Sequence, residues 1–401
     1  MVAVDGEREE AREEAHLGES LLTRAAIFGP NASGKSNVVM ALVWLRDAVL
    51  NSLRTWEDEI PIEPFAFRST QPSSTEFVFE STIDGIRFEY ILELDKSQVH
   101  YEALFHYPEK KRRRIFEREG LDLKLQRGLG AVSGTRELLT HRTLALAAAR
   151  RFDEPLIRRF AAEFSRTQSF GIIPHSMSRR VLPSPISMQS ITRRWFEDEP
   201  PLSPPGEPVD ARERALAMLR LADLGIEDVA IELQQVAYAE SSDPATVRRI
   251  KLLHTTSAGA VPLDFGCESE GTKTWFHLIG PLLTALHYGS MMVFDELDAN
   301  LHPTLSAELL RIFGSRTLNP LGAQLIFTSH DTSLLNHLNR DEVWLTEKLK
   351  GGSTRLGALA DFTGERVRKS QNLENAYLHG RFGALPQVDQ TALLRSLGLI
   401  G

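Results

Sequence analysis

Only one of the 401 residues is a cysteine, Cys267. An internal disulfide framework is therefore excluded, and such usage fits a reducing cytoplasm, the expected location. With no basic residue nearby before Lys273, Cys267 reads as a passive thiol. An excess of positive charge is also lacking. Lys and Arg number 46 against 54 Asp and Glu, a formal balance of -8, so no global field holds nucleic acid nonspecifically. The opening stretch, "MVAVDGEREEAREEAHLGES", is acidic where a secretory signal is basic and then apolar, so export is not expected. Long apolar runs are missing too. The most apolar window, Phe276 to Phe294, is broken by His277, Pro281, His287 and Gly289-Ser290, and reads as a helix followed by a buried strand, with no membrane partner. There is no Cys/His metal cluster, no G-x-S-x-G turn and no acidic cluster after Gly351 suited to a nuclease centre.

What is present is ample apolar material: 42% hydrophobic content supports a sizeable core in one large or two ordinary domains. Residues 24 to 50 run from an apolar strand through a glycine-rich turn into a helix with apolar positions every three or four residues. From Thr75 to about Arg118 the pattern alternates, with turn signals at Asp84-Gly85, Asp95-Lys96 and Pro108-Glu109, which predicts an antiparallel sheet of about four strands. Helical spacing returns over 137 to 164. A proline-rich, mobile stretch is expected between about 181 and 208, with Trp195 as one buried aromatic in a loop. A helix follows over 209 to 223, then strands near 228 to 238 and 247 to 256. The remainder alternates: helix 270 to 287, strand 291 to 294, helix 303 to 314, strand 324 to 328, helix 332 to 338, strand 342 to 346. Such alternation implies an α/β fold with a mostly parallel sheet covered on both faces. The expected division is 1–74, the first part of the α/β domain that holds the glycine-rich turn; 75–130, an antiparallel β subdomain; 131–225, a helical insert; and 226–401, the rest of that α/β domain. There is no internal repeat.

Three stretches carry chemistry. "GPNASGKS", Gly29 to Ser36, satisfies G-x-x-x-x-G-K-S between a predicted strand and a predicted helix. Its backbone N–H groups can ring a phosphate at the helix start, Lys35 can reach the terminal phosphates, and the Ser36 hydroxyl can ligate magnesium. "MMVFDELDANLHP" ends a buried strand in Asp295 and Glu296. Adjacent buried carboxylates need partners, which magnesium on Asp295 and a water held by Glu296 supply; a strand ending in solvated acids is the plainer alternative. "AQLIFTSHD" sends another apolar strand to the same sheet end and finishes in His330, placed to contact a γ-phosphate or orient water, or else simply opening a helix with Ser329 or Asp331 as N-cap. The basic run "EKKRRR", Glu109 to Arg114, reads as a solvated turn rather than a nucleic-acid patch.

In this order, with "SEGTK" before the acidic pair, "LDANLHP" after it and then "FTSHDTSLL", the motifs resemble the ABC-type P-loop ATPases of the SMC, RecF and OLD group. The likeness is in particular to AAA-type ATP-binding proteins of bacterial abortive-infection and phage-defence loci of the RloA and AbiL type; "VWLTEK", "NLENAYLHGRFGALP" and "LADLGIEDV" share in it. It spans about residues 22 to 387. The resemblance implies ATP and magnesium as cofactors, with Gly29, Pro30, Asn31, Ala32, Ser33, Gly34, Lys35, Ser36 and Asn37 at the phosphate loop. It makes Asp295 a metal-site residue with Ser36, Glu296 the general base, and His330 the switch histidine. "ANLH", Ala299 to His302, takes the D-loop position, with His302 where many relatives have aspartate. Ser269, Gly271 and Thr272 stand at the signature motif, which in this group meets the γ-phosphate held by the opposite subunit. An ATP-sandwich homodimer or higher oligomer is thus implied, acting as an anti-phage regulatory ATPase over a separately encoded effector such as a nuclease. The alternative within the group is a RecF- or SMC-like DNA-binding repair factor. Two departures stand out: "MVAVDGEREE" opens the chain where relatives carry a strand of the "FRVENFRS" kind, and no Q-loop glutamine is assignable, Arg150 and Arg151 falling near its place.

Overall fold

The computed structural model describes residues 1–14, 17–56, 58–67, 74–172, 185–197, 211–236, 245–299, 301–361 and 373–379. Asn300 of the D-loop stretch, residues 380–386 of the likeness and much of the proline-rich stretch lie outside them. The chain opens with a hairpin, β1 (Ala11–Glu14) and β2 (Glu19–Leu22), followed by β3 (Arg24–Phe28) and α1 (Lys35–Thr55). An antiparallel meander comes next: β4 (Thr75–Ile83), β5 (Ile86–Leu94), β6 (Val99–His106), β7 (Arg113–Glu119) and β8 (Asp122–Leu125). Short helices α2 (Thr135–Leu138) and α3 (Ala145–Ala149) and the longer α4 (Pro155–Arg166) lead to β9 (Gln168–Phe170). After α5 (Pro185–Arg194) and α6 (Ala211–Ala222), strands β10 (Ile226–Val236), β11 (Ala245–Thr256) and β12 (Gly259–Asp264) form a second antiparallel sheet. The last part runs α7 (Glu270–Tyr288), β13 (Met291–Phe294), α8 (Pro303–Gly314), β14 (Gln324–Thr328), β15 (Val343–Lys348), β16 (Thr354–Ala358) and α9 (Leu373–Leu378).

The central sheet has the order β16-β15-β3-β14-β13-β9, parallel throughout except for the edge strand β16. Side chains alternate between its faces, so each apolar strand divides its residues between two layers. Ile27, Val293, Ile326 and Trp344 pack toward Val39 and Val43 of α1. Their neighbours Ala26, Phe28, Met292, Phe294, Leu325 and Phe327 pack on the other face, with α6, α7 and α8. Cover on both sides is why β3 is buried along its whole length. Its start is pinned by Arg24, whose Nε and Nη2 donate to Glu342 at 2.9 and 3.0 Å, both side chains buried.

The meander has five strands where about four were expected; β8 was too short to show alternation of its own. Asp84-Gly85 does form a two-residue hairpin turn, with φ of 49° and 74° joining the Ile83–Ile86 pair. Residues 137 to 164, expected as helical, resolve into parts of three helices, and just beyond them the three-residue β9 returns to the central sheet beside β13. The expected mobile stretch contains α5, which packs on α7. There Thr192 bridges a helix interruption: Pro281 has no N–H for the carbonyl of His277, and the Thr192 hydroxyl donates to Phe276 O at 2.7 Å and accepts from Gly280 N at 2.9 Å. A Cβ on Gly280 would sit 2.6 Å from Thr192 N, so the crossing needs glycine. Trp195, just after α5, is buried at its end. The basic run is exposed, as expected of a solvated turn, and runs into β7, with Arg112 on Glu89, Arg113 near Glu109 and Arg114 on Glu117.

The meander is tied to the helices by a buried polar cluster. Glu102, fully buried, accepts from Tyr90 Oη at 2.9 Å and from Ala145 N and Leu146 N at 2.5 and 2.8 Å, so it caps α3. Arg118 Nη1 lies 3.7 Å from its carboxylate and also donates to Thr143 O. Burial pushes the Glu102 carboxyl up, and Arg118 with the two amides and Tyr90 pull it down. Glu102→Ala removes the counter-charge of the buried Arg118, which keeps only the carbonyls of Gly120, Thr140 and Thr143, and strands two amides and the Tyr90 hydroxyl. A loss of about 3–5 kcal/mol is expected in a chemical-denaturation curve; a loss below about 1 kcal/mol shows that water replaces the carboxylate.

Candidate nucleotide site

The phosphate loop links the C-terminal end of β3 to the first turn of α1. Gly29 and Gly34 have φ of 155° and 99°, and a Cβ on either would come within 2.2 Å of the hydroxyl of Thr346 or Thr354. The two threonines, from β15 and β16, brace the loop. Thr346 Oγ1 shares a 2.5 Å hydrogen bond with Ser33 Oγ, and Thr354 Oγ1 donates to Ser33 O at 2.8 Å. The start of α1 has no side-chain cap and no acid in its first turn, leaving its N–H groups and the positive end of the helix dipole to an anion. Lys35 lies buried against the loop, with Nζ donating to Gly29 O at 3.0 Å and Pro30 O at 3.2 Å. Burial lowers its pKa, opposed by Glu296, Asp295 and Asp298.

The acids arrive from β13. Asp295 is buried, and its Oδ1 accepts from Thr328 Oγ1 at 2.5 Å and Ser36 Oγ at 3.2 Å. Its N–H donates to Phe170 O at 3.0 Å, and Gly171 passes so close that a Cβ there would meet Asp295 O at 2.2 Å. Glu296 then takes a left-handed backbone conformation, φ 54°, which costs a side-chain-bearing residue about 1–2 kcal/mol. Thr328 supports that turn by accepting from Glu296 N at 2.8 Å. The turn leaves Glu296 exposed where Asp295 is buried. From β14, His330 follows the same edge, its N–H bound to Asp298 Oδ1 at 3.0 Å. Ser329 Oγ donates to that oxygen at 2.7 Å.

These pieces converge on one cleft of about 590 Å³, lined by Asn31, Ala32, Gly34, Lys35, Ser36, Asn37, Glu296 and His330. Asp295 joins it through Ser36. Gly29 and Pro30 stand behind it as carbonyl partners of Lys35, and the Ser33 hydroxyl is turned away toward Thr346. Ser269, Gly271 and Thr272 do not line the cleft. They form the first turn of α7, where Ser269 Oγ accepts from Thr272 N at 3.1 Å. His302 caps α8, accepting from Thr304 N. Arg150, near the place expected for a Q-loop residue, donates instead to Leu50 O at 3.1 Å in the helical region. Asp298, Thr328, Thr346, Thr354 and Gly171 were not singled out as site residues. Thr328 and Thr346 lie inside "FTSHD" and "VWLTEK", where each closes or nearly closes a strand; Thr354 and Gly171 carry no local pattern. The donors Ser36 Oγ, Thr328 Oγ1 and Asp295 Oδ1 are all hard oxygens, a set that fits magnesium rather than a softer metal.

A phosphate loop at the end of one strand, with the acidic strand two places away across β14, defines a P-loop nucleotide-binding fold of the ATPase class. The chain belongs to the AAA_21 family, described as "AAA domain, putative AbiEii toxin, Type IV TA system", which it matches over residues 24–336. A comparison with curated proteins finds no match. Among solved structures, the chain is similar to the SMC head domain from Thermotoga maritima, at 15% identity and a TM-score of 0.37, covering 84% of this chain and 91% of that one. It is similar also to cbiO1 from Clostridium perfringens, part of an ABC transporter complex, at 12% identity and a TM-score of 0.31, with 88% of each chain covered.

Thr328→Val keeps the shape of the side chain but removes the donor to Asp295 and the acceptor for Glu296 N. A loss of about 1–3 kcal/mol of stability is expected, together with weaker binding of magnesium-ATP than of metal-free ATP relative to the unaltered chain. Melting temperature and nucleotide titration with and without magnesium check this; equal effects on both nucleotide forms would remove Thr328 from the metal side of the site.

Proposed function

We propose that this chain binds ATP with magnesium and hydrolyses it, as an ABC-type switch working in a dimer or higher oligomer. The observation that carries the reading is the meeting of the phosphate loop, Glu296 and His330 in one cleft, with Asp295 bonded to Ser36 at its floor. Lys35 exchanges its two loop carbonyls for phosphate oxygens. Ser36 and Asp295 would hold the metal, which would neutralise charge on the terminal phosphates when bound. Glu296, exposed at the cleft wall, orients a water and accepts its proton, and His330 stabilises the terminal phosphate. Ser269 and Gly271 are exposed at the start of α7, Thr272 is buried beneath them with its hydroxyl bonded to that of Ser269, and none of the three lines their own chain's cleft, which supports a role at the nucleotide of a second copy. ATP then joins two copies, and hydrolysis releases them, so that differential affinity for the joined and separate states does the switching.

Within that reading the chain acts as the regulatory ATPase of an abortive-infection type of system, controlling a separate toxic effector such as a nuclease. The family's description, which names a putative toxin and a type IV TA system, supports a toxin–antitoxin setting. The DNA-repair alternative would draw on a basic surface, and the arginines of the one basic run are paired with acids.

Glu296→Gln is expected to keep ATP affinity and to lower turnover about 10²–10⁴-fold, the usual worth of a general base. Steady-state turnover against nucleotide titration decides it, and an undiminished rate removes Glu296 from the base role. Ser269→Arg is expected to leave ATP binding to the isolated chain intact while abolishing ATP-driven association in sedimentation and turnover with it. Normal association and turnover would reduce "SEGTK" to a helix cap.

A further inference from the structure

Glu268 directly precedes Ser269 and is almost fully buried, its side chain 5% exposed. A buried carboxylate requires a donor. Its Oε1 finds one in His254 Nε2 at 2.8 Å. A carboxylate only accepts, so the shared proton resides on Nε2. His254 belongs to β11, facing Val261 of β12 and Ile226 of β10, and its Nδ1 lies 4.0 Å from Asp223 Oδ2 at the end of α6. One imidazole therefore joins the β10–β12 sheet and α6 to the residue before the first turn of α7. The connection from β12 to α7 is a 3₁₀ turn, Phe265–Cys267, capped by Asp264 Oδ1 accepting from Gly266 N at 2.9 Å and held by Phe265 against Phe276 with ring centroids 4.9 Å apart. That apolar contact fixes the turn's depth. The His254–Glu268 bond is the buried polar contact of the residue before Ser269, the cap whose hydroxyl is already engaged with Thr272.

We propose that His254 is a positioning residue for ATP turnover: by holding Glu268 it sets Ser269, Gly271 and Thr272 in the arrangement that meets the nucleotide of a second copy. The proposal rests on the reading of α7's first turn given under Proposed function. Without the imidazole, Glu268 is buried with no donor and turns to water, and Ser269 moves with it. The nucleotide cleft of the same chain, lined by other residues, is left unaltered.

His254→Ala is expected to keep the ATP dissociation constant of the isolated chain within about twofold, to lower the turnover rate about tenfold, and to speed amide exchange over residues 265–273 by a similar factor, consistent with loss of a hydrogen bond to a charged group. His254→Gln restores an N–H donor and should bring both back to within about threefold of the unaltered chain. Full-length protein, magnesium-ATP and peptide-resolved hydrogen exchange suffice. Turnover undiminished in His254→Ala, beside an inactive Ser269→Arg, overturns the role of His254 alone. So does a rate loss matched by an equal loss of ATP affinity, or one that glutamine fails to restore. Normal turnover by Ser269→Arg overturns the second-copy reading itself and the proposal with it.

Discussion

One oxygen holds the site together. Asp295 Oδ1 accepts from Thr328 at the end of β14 and from Ser36 in the first turn of α1, so a single buried carboxylate ties β13, β14 and the phosphate-loop helix to one another. Parallel strands deliver their C-terminal ends to one edge, but the edge alone leaves several ångströms of freedom between neighbouring loops. The carboxylate removes it. A buried charge in turn needs every available donor, and here both donors are hydroxyls that a metal can share. The grouping that stabilises the acid in the free protein is thus the grouping that suits magnesium.

From that point outward the loops are fixed in tiers. Thr328 also accepts from Glu296 N, so the left-handed turn that exposes Glu296 is supported by the side chain that anchors Asp295. Asp298, three residues further on, takes His330 N and Ser329 Oγ and sets the next loop against the first. On the far side Thr346 and Thr354 close on Ser33 and leave no room for a Cβ at Gly29 or Gly34. Each tier uses a short polar side chain at or near a strand end. Such residues lose little side-chain entropy on ordering, which suits a site that has to be formed before its ligand arrives.

This arrangement explains what was legible in the sequence. The phosphate loop and the acidic pair were visible because their chemistry demands particular residue types at fixed spacing, and the strands before them because a strand covered on both faces must be apolar at nearly every position. His330 was visible as the polar end of such a strand. The bracing threonines were not, because their role depends on strand order: Thr346 reaches Ser33 only because β15 lies beside β3, a pairing no local pattern encodes. Strand β9 escaped notice for the related reason that three residues are too few to show a period, although its end passes within touching distance of Asp295. Helix α5 was obscured by the prolines and serines around it. Its packing is set by Thr192 against a proline-broken turn of α7, a contact 88 residues apart in sequence from its partner Gly280.

The charge balance in the cleft points the same way. Lys35 is buried, and among the described residues its direct partners are backbone carbonyls, while Glu296, Asp295 and Asp298 raise its affinity for a proton against the cost of burial. Neutral carbonyls satisfy the geometry of an ammonium group but not its charge. A polyphosphate satisfies both, and it also occupies the unpartnered N–H groups at the start of α1. Binding therefore trades a half-satisfied cation and an uncapped helix for a set of charge-assisted bonds, without requiring the braced loop to change shape. The free protein is held in a conformation whose remaining deficits are electrostatic, and an anion of the right size is what removes them.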